Sequence, residues 1–148
     1  MPLAGTALQV AFPCRPSSMA RDVALAGAPV RWTLNACDAQ DMTFAVAWAD
    51  MPDALGADAA LQALVRQAQD NLRAAPQGPS QPASVPGMTP HPLAQWRHWQ
   101  GRSPTGAPVQ QQQLVFVHGR RVFQASVLGA KVDAAASAGF FGALQVRP

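Results

Sequence analysis

Three histidines are the side chains of this chain best suited to metal binding or proton transfer. His91 lies between two prolines, His98 lies between tryptophans, and His118 falls in a predicted turn. A metal site or a general base needs a second ligand or an acidic partner nearby. No HExxH, GxSxG, Walker or GxGxxG pattern surrounds them. We therefore expect surface or structurally satisfied histidines, with a functional ligand as the alternative.

Two carboxylates, Asp50 and Asp53, flank a Met-Pro pair and are spaced closely enough to hold a cation. A solvated turn at the entry to a helix explains the same pattern and is the favoured interpretation. Ser126 lies in an apolar strand without a glycine elbow, which is a poor setting for a nucleophile. The sequence therefore predicts no catalytic residue, no metal and no cofactor, and hence a protein that is not an enzyme.

The cluster Trp96, Arg97, His98 and Trp99 is the candidate interaction surface. Aromatic rings that alternate with a cation can stack on a ligand or a partner. Strand alternation would place the two tryptophans on opposite faces, so that one of them can be exposed. The alternative is that one tryptophan packs in the core and the other under the proline-rich segment 76–92.

Two cysteines, Cys14 and Cys37, end apolar segments that would meet if these were neighbours in an antiparallel sheet. A disulfide closing the loop 15–36 would stabilise the fold by about 3 kcal/mol, through the unfolded chain. It would also indicate an oxidising compartment. The alternative is two free, half-buried thiols in a cytoplasmic protein. Metal binding here is not expected, since there is no CxxC pair and no nearby histidine.

Composition limits the partners that the chain is expected to have. The net charge of +3 comes from ten arginines and one lysine without long basic runs, which argues against nucleic acid as a partner. No stretch approaches the apolar length of a membrane span, so no integral membrane segment is predicted. No export signal is visible at the N-terminus. We expect a periplasmic protein if such a signal has been removed, and a cytoplasmic one otherwise.

A helix over about residues 57–75 is the clearest local prediction, with Asp58 as its cap or first-turn acid. Its apolar residues recur with the period of one helical face; they are Leu61, Leu64, Val65, Ala68 and Leu72. The proline-rich segment 76–92 follows it. We interpret this segment as a loop inside one domain spanning residues 1–148, because neither side of it could bury a core alone.

Strands fill most of the remaining chain. Alternating apolar residues and turn signals predict them at residues 8–12, 22–25, 30–37, 42–49, 84–88, 93–99, 109–117 and 121–128. The four glutamines 110–113 are expected to alternate on an exposed face. A tight turn at His118-Gly119-Arg120 joins the last two strands, and a short helix over about 132–142 turns Ala136, Phe140 and Phe141 inward. The predicted fold class is α+β.

The order of these segments resembles the PsbP-like fold group of small bacterial domains. This group includes the extrinsic PsbP protein of photosystem II, DcrB-like lipoproteins and many exported bacterial proteins. The matching segments are 8–16 (LQVAFPCRP), 44–52 (FAVAWADMP), 114–129 (LVFVHGRRVFQASVLG) and 138–146 (AGFFGALQV). Two features depart from the group, namely the absence of a lipid-anchor cysteine and Phe123 in place of the usual tyrosine.

The resemblance implies an antiparallel sheet of about six strands with helices packed against it. It carries no shared catalytic residues, since members of the group are better known as accessory and binding proteins. The leading hypothesis is therefore a non-catalytic accessory or protein-interaction domain that is exported and has a protein partner. The alternative is a protein that binds a small molecule or an ion in a pocket between the sheet and helix 57–75.

Overall fold

Alternating apolar side chains build one large antiparallel sheet with a helix on each side. The computed structural model describes residues 2–76 and 78–147. The elements, in chain order, are β1 (Leu8–Gln9), β2 (Ser17–Leu25), β3 (Ala28–Ala39), β4 (Met42–Asp50), α1 (Ala54–Leu72), β5 (Ala75–Pro76), β6 (Gln81–Pro82), β7 (Gln95–Arg102), β8 (Pro108–His118), β9 (Arg121–Gly129), α2 (Ala134–Gly142) and β10 (Gln145–Val146). The α+β class, the main helix and the short C-terminal helix are confirmed.

The sheet follows the order β2-β3-β4-β9-β8-β7, and every neighbouring pair is antiparallel. These six strands are the long ones, in agreement with the expected number. At the far edge, the two-residue strands β5 and β6 both pair with β7. A second, small sheet joins β1 to β10, and so brings the two ends of the chain together.

The central strands of the large sheet are covered on both faces. Since successive side chains of a strand point to opposite sides, each of these strands contributes to two cores. Val115, Val117 and Val122 pack against α1 on what we call the helix face. Phe116 and Phe123 point the other way, to the terminal face. There the N-terminal segment and α2 cover the sheet, with the large buried side chains Leu3, Leu8, Val10, Phe140 and Phe141.

The main helix begins and ends about one turn before the predicted bounds 57–75. Asp53 is the N-cap, since its carboxylate accepts a hydrogen bond from the Gly56 backbone N–H at 2.7 Å. The cap expected at Asp58 was therefore wrong. At the other end Arg73 takes a left-handed conformation, with φ of 48°. The apolar stripe was predicted correctly, because Leu61, Leu64, Ala68 and Leu72 are buried.

Several predicted strands have different bounds in the structure. The strand expected at 22–25 is the longer β2, while that expected at 8–12 shrinks to β1. The segment 84–88 is not a strand, and the chain pairs with its neighbours through β6 and a single bridge between Thr89 and Val117. Prolines explain this loss, since they lack the N–H that a continuous ladder requires.

The glutamines of β8 correct another expectation. Gln112 and Gln113 are both buried, Gln113 completely. Because both faces are covered at β8, alternation places Gln113 under α1 and Gln112 on the terminal face, where it accepts a hydrogen bond from Trp96. The turn that follows is as predicted, and Gly119 supplies the positive φ of 64°. The closing helix α2 begins slightly later than predicted, with Asp133 as its N-cap.

Candidate functional site

The four residues of the Trp96 to Trp99 cluster lie on β7 but do not form one surface. Trp99 is only 4% exposed and packs on the helix face, where its indole N–H donates to Gln113 at 3.1 Å. Trp96 lies on the terminal face, half-buried against Phe141, with ring centroids 5.3 Å apart. The alternation predicted for the two tryptophans is correct, and the accessible part of the cluster is His98, stacked on Trp96.

Arg97 is half-buried beside Trp99 on the helix side of β7. Its Nη1 atom is buried and has no hydrogen-bond partner among the described residues. Burial without a compensating acid lowers the pKa of this guanidinium from its ordinary value. The side chain is thus not freely available as the exposed cation of an interaction surface.

The three histidines lie on separate parts of the fold. The His91 imidazole contacts the Asp58 carboxylate, and its Nδ1 accepts a hydrogen bond from the Leu93 backbone N–H at 3.0 Å. This contact ties the proline-rich segment to α1. His118 is exposed at the turn between β8 and β9. Within the described ranges, no three histidine, cysteine or acidic side chains are grouped so that they could hold a metal ion.

The two carboxylates considered for cation binding make structural contacts. Asp50 accepts two hydrogen bonds from Arg121, at 2.7 and 3.0 Å, across the β4 and β9 ladder. The Arg121 hydrogen bond lowers the pKa of Asp50, and the same contact raises that of Arg121. Arg121 also donates to the Gly5 carbonyl at 2.9 Å and lies 4.3 Å over the Trp48 ring. Asp53 caps α1, as described above.

The two cysteines meet on the terminal face. Their sulfur atoms lie 2.06 Å apart, which is disulfide-bond distance, and their Cα atoms are 5.9 Å apart. Cys37 is buried in β3, whereas Cys14 belongs to the irregular segment that follows β1. The pair therefore fastens the N-terminal segment to the sheet.

The two edges of the sheet differ in how they are protected. The edge at β7 is covered in part by β5 and β6. At the other edge, residues 17–22 of β2 are exposed on both faces. Met19 in this run is 60% exposed, one of two large hydrophobic side chains so placed among the described residues. An uncovered edge strand presents main-chain N–H and C=O groups to any further strand.

A cavity of about 590 Å³ lies on the terminal face, between the N-terminal segment and the sheet. We call it the terminal pocket. Its lining consists of residues 2–4, 10–12 and 14–16 together with Asn35 of β3. This volume falls in the range of ligand sites, which are typically about 300–1,000 Å³. A smaller cavity of about 170 Å³ lies between α1 and β9 on the helix face, where the sequence hypothesis placed a ligand.

Asn35 is the polar side chain in the inner lining of the terminal pocket. It is 6% exposed, and its amide nitrogen is buried without a hydrogen-bond partner in the described part of the chain. In the sequence it falls within the predicted strand 30–37, and no role was predicted for it. One sequence feature could have indicated that Asn35 is buried. It lies two residues before Cys37 and so on the same face, and a disulfide from Cys37 implies that another segment covers that face.

Comparison with known proteins assigns no family. No family model, no curated protein and no solved structure matches the chain. None of the helices in the described residues is long and apolar enough to cross a membrane.

Proposed function

We propose that the protein is a non-catalytic accessory domain of PsbP-like architecture that docks an extended segment of a partner protein. The observation that carries this proposal is the edge strand β2, whose residues 17–22 are exposed on both faces. A segment of a partner can add to such an edge as a further strand, with main-chain hydrogen bonds supplying the affinity.

Side chains on β2 define the chemistry of this partner. Met19 and Arg21 lie on the same face, because they are two residues apart. Met19 is largely exposed, and Arg21 forms no ion pair within the described ranges. The neighbouring exposed charges, Asp22 and Arg31, already pair with each other at 3.2 Å. A matching segment therefore carries an apolar side chain opposite Met19 and an acidic one opposite Arg21.

A non-catalytic role is supported by how the ionisable side chains are used. His91 and Asp58 contact each other, Asp50 holds Arg121, and Asp53 caps α1. Export is supported by the sulfur atoms of Cys14 and Cys37, which lie at bonding distance, because such bonds persist in oxidising compartments. The periplasm is the location that we propose.

Amide hydrogen exchange measured by NMR tests the docking edge. The probe is a short peptide that alternates valine and threonine and carries one glutamate, compared with the same peptide carrying lysine. We expect the glutamate peptide to slow exchange in β2 and not in β7. Replacing Arg21 by glutamate should reverse the preference between the two peptides, by roughly threefold in affinity for each.

Arg66→Glu is the matched control, because Arg66 is an exposed arginine on α1, away from the edge. It makes the same change in net charge and should leave the peptide preference unaltered. Exchange in β2 that neither peptide slows would overturn the proposal. An equal loss of preference in Arg66→Glu would also overturn it, since the effect would then come from net charge alone.

Export has a separate test in thiol labelling of the purified, denatured protein without reductant. We expect no labelled cysteine until a reductant is added. Labelling of both Cys14 and Cys37 before reduction would remove the argument for an oxidising compartment, and would leave the docking edge to be judged on its own experiment.

A further inference from the structure

The terminal pocket adjoins β2, since Asn35 pairs with Ser18, but it opens on a face of the sheet and not along its edge. Its chemistry also differs from that of the docking edge. Its lining is mainly apolar and includes Leu3, Val10 and Phe12. Two side chains break this pattern, Asn35 in the inner lining and the exposed Arg15. A ligand that fits is consequently apolar over most of its surface and polar at few points.

The amide of Asn35 requires an acceptor. A buried N–H group without a partner costs about 1–3 kcal/mol relative to one that is hydrogen-bonded. The described chain supplies no acceptor for the Asn35 nitrogen, although the residue is more than nine-tenths buried. Because Asn35 lines the pocket, rotation of its side chain towards the cavity would bring this nitrogen within reach of a ligand oxygen. That hydrogen bond would remove the penalty and fix the orientation of an otherwise apolar molecule.

The charge around the pocket indicates the kind of acceptor. Arg15 is an ionised side chain of the lining, and the described lining residues include no aspartate. A cationic ligand would therefore meet a like charge with no compensating acid, whereas an anionic one would meet a complementary charge. A carboxylate provides both the acceptor for Asn35 and the negative charge for Arg15.

We propose that the terminal pocket binds a small carboxylate with an apolar body, such as a medium-chain aliphatic acid. The apolar body lies against Leu3, Val10 and Phe12, and the carboxylate accepts a hydrogen bond from the Asn35 amide. Cys14 also lines this pocket, so the cysteine pair holds the wall that the ligand contacts.

Titration with decanoate below its micelle-forming concentration tests the proposal, with decylamine as the probe of opposite charge. The readout is the NMR signal of the Asn35 side-chain NH₂ group, followed together with calorimetric affinity. We expect a saturable shift with decanoate and a much weaker one with decylamine. Asn35→Leu should weaken decanoate binding at least about tenfold, because a hydrogen bond to a charged group is lost.

A second variant keeps the test independent of Asn35. Ala4 is an exposed residue of the lining, so Ala4→Trp should block the pocket with little effect on folding. Ala138→Trp, at an exposed site on α2 outside the lining, is the matched control and should bind decanoate like the parent protein. Equal binding of decanoate and decylamine, no saturable shift, or undiminished binding in Asn35→Leu would each overturn the proposal.

Discussion

Gln113 and Asn35 are buried amides on opposite faces of the same sheet, and their surroundings differ. On the helix face, the Gln113 amide nitrogen donates to the Leu64 carbonyl and to Gln124, at 3.1 and 2.8 Å, while its oxygen accepts from Trp99. On the terminal face, the Asn35 nitrogen has no acceptor among the described residues. The Gln113 amide is therefore part of the hydrogen bonding that holds the fold together, whereas the Asn35 nitrogen is the one we propose for a ligand.

The difference follows from what covers each face. A continuous helix covers Gln113, and its regular backbone places the Leu64 carbonyl against the amide. The terminal face is covered by α2 and by an N-terminal segment with little regular structure, which is held at separate points. Two of these points are the Cys14–Cys37 pair and the hydrogen bond from Arg121 to the Gly5 carbonyl. A segment fixed at intervals leaves room for a cavity between the fixed points.

The largest expected effect on stability comes from removing the hydrogen-bonded amide of Gln113. Gln113→Leu would leave the Trp99 indole N–H and the Gln124 oxygen without their present partner. The Trp99 N–H is buried and would bear the full cost of an orphaned group, about 1–3 kcal/mol, while the Gln124 side chain is half-buried and would bear less. We therefore expect the free energy of unfolding to fall by up to about 4 kcal/mol in urea titration. Asn35→Leu is the matched variant and should raise the free energy of unfolding by about 1 kcal/mol, because its amide nitrogen makes no protein hydrogen bond and the cost of burying it unpaired is removed.

Equal destabilisation by the two variants would contradict the comparison. It would mean that the Asn35 amide supports the fold as much as that of Gln113, and that the pocket has no free donor to offer. The m-value of each urea transition serves as a check, since it should match that of the parent protein if both variants unfold from a native-like state.

The sequence was sufficient for the parts of the fold that rest on periodicity. The stripe from Leu61 to Leu72 predicted α1, and alternation around Phe116 and Phe123 predicted the last hairpin. The helix start was misplaced because the cap is Asp53, whose sequence context suggests a cation ligand or a solvated turn as readily as a helix cap. The segment 84–88 was misassigned because short apolar runs between prolines do not reveal whether a partner strand is within reach.

The candidate site was harder to predict, since it depends on which sheet face each residue occupies and on what covers that face. The glutamines of β8 look solvent-exposed in sequence, yet Gln113 lies wholly under α1. Apart from the nearby Cys37, nothing in the local sequence around Asn35 indicates that it is buried. Its position became informative only when the N-terminal segment was seen to close over the sheet, a contact between residues far apart in the chain that no local pattern encodes.

A second, smaller effect should follow from removing the cysteine pair. We expect Cys14→Ser combined with Cys37→Ser to lower the free energy of unfolding by about 3 kcal/mol, because the loop between them is no longer closed in the unfolded chain. The native-state change should be confined to the terminal face. Hydrogen exchange should rise in residues 2–16 while α1 keeps its protection, since α1 packs on the opposite face.

Reduction of the parent protein provides the control for this pair of substitutions. Reductant should reproduce the stability loss in the parent protein and have no effect on the double variant. If α1 lost protection together with residues 2–16, the two faces would not respond separately, and the contrast between them would fail.

The smallest expected effect is a loss of stability in acid, and it should affect the terminal face before the helix face. The pKa of Asp50 is lowered in the folded state by Arg121, so the pair adds stability above the carboxyl's unfolded pKa of about 3.9. That stability is lost as the pH falls through the lower folded pKa. Because the pair is partly exposed, the loss should stay below about 1 kcal/mol.

Asp50→Asn tests this loss by urea titration at a series of pH values. Below about pH 4, where the unfolded carboxyl takes up its proton, the stability of the variant should fall less steeply than that of the parent protein, because asparagine does not titrate. Arg121 also holds the Gly5 carbonyl, so acid should lower the hydrogen-exchange protection factors of the N-terminal segment, corrected for the intrinsic rate at each pH, before those of α1. Identical pH dependence in the two proteins would show that Asp50 does not anchor the terminal face, and the cysteine pair would then remain as its principal fastening.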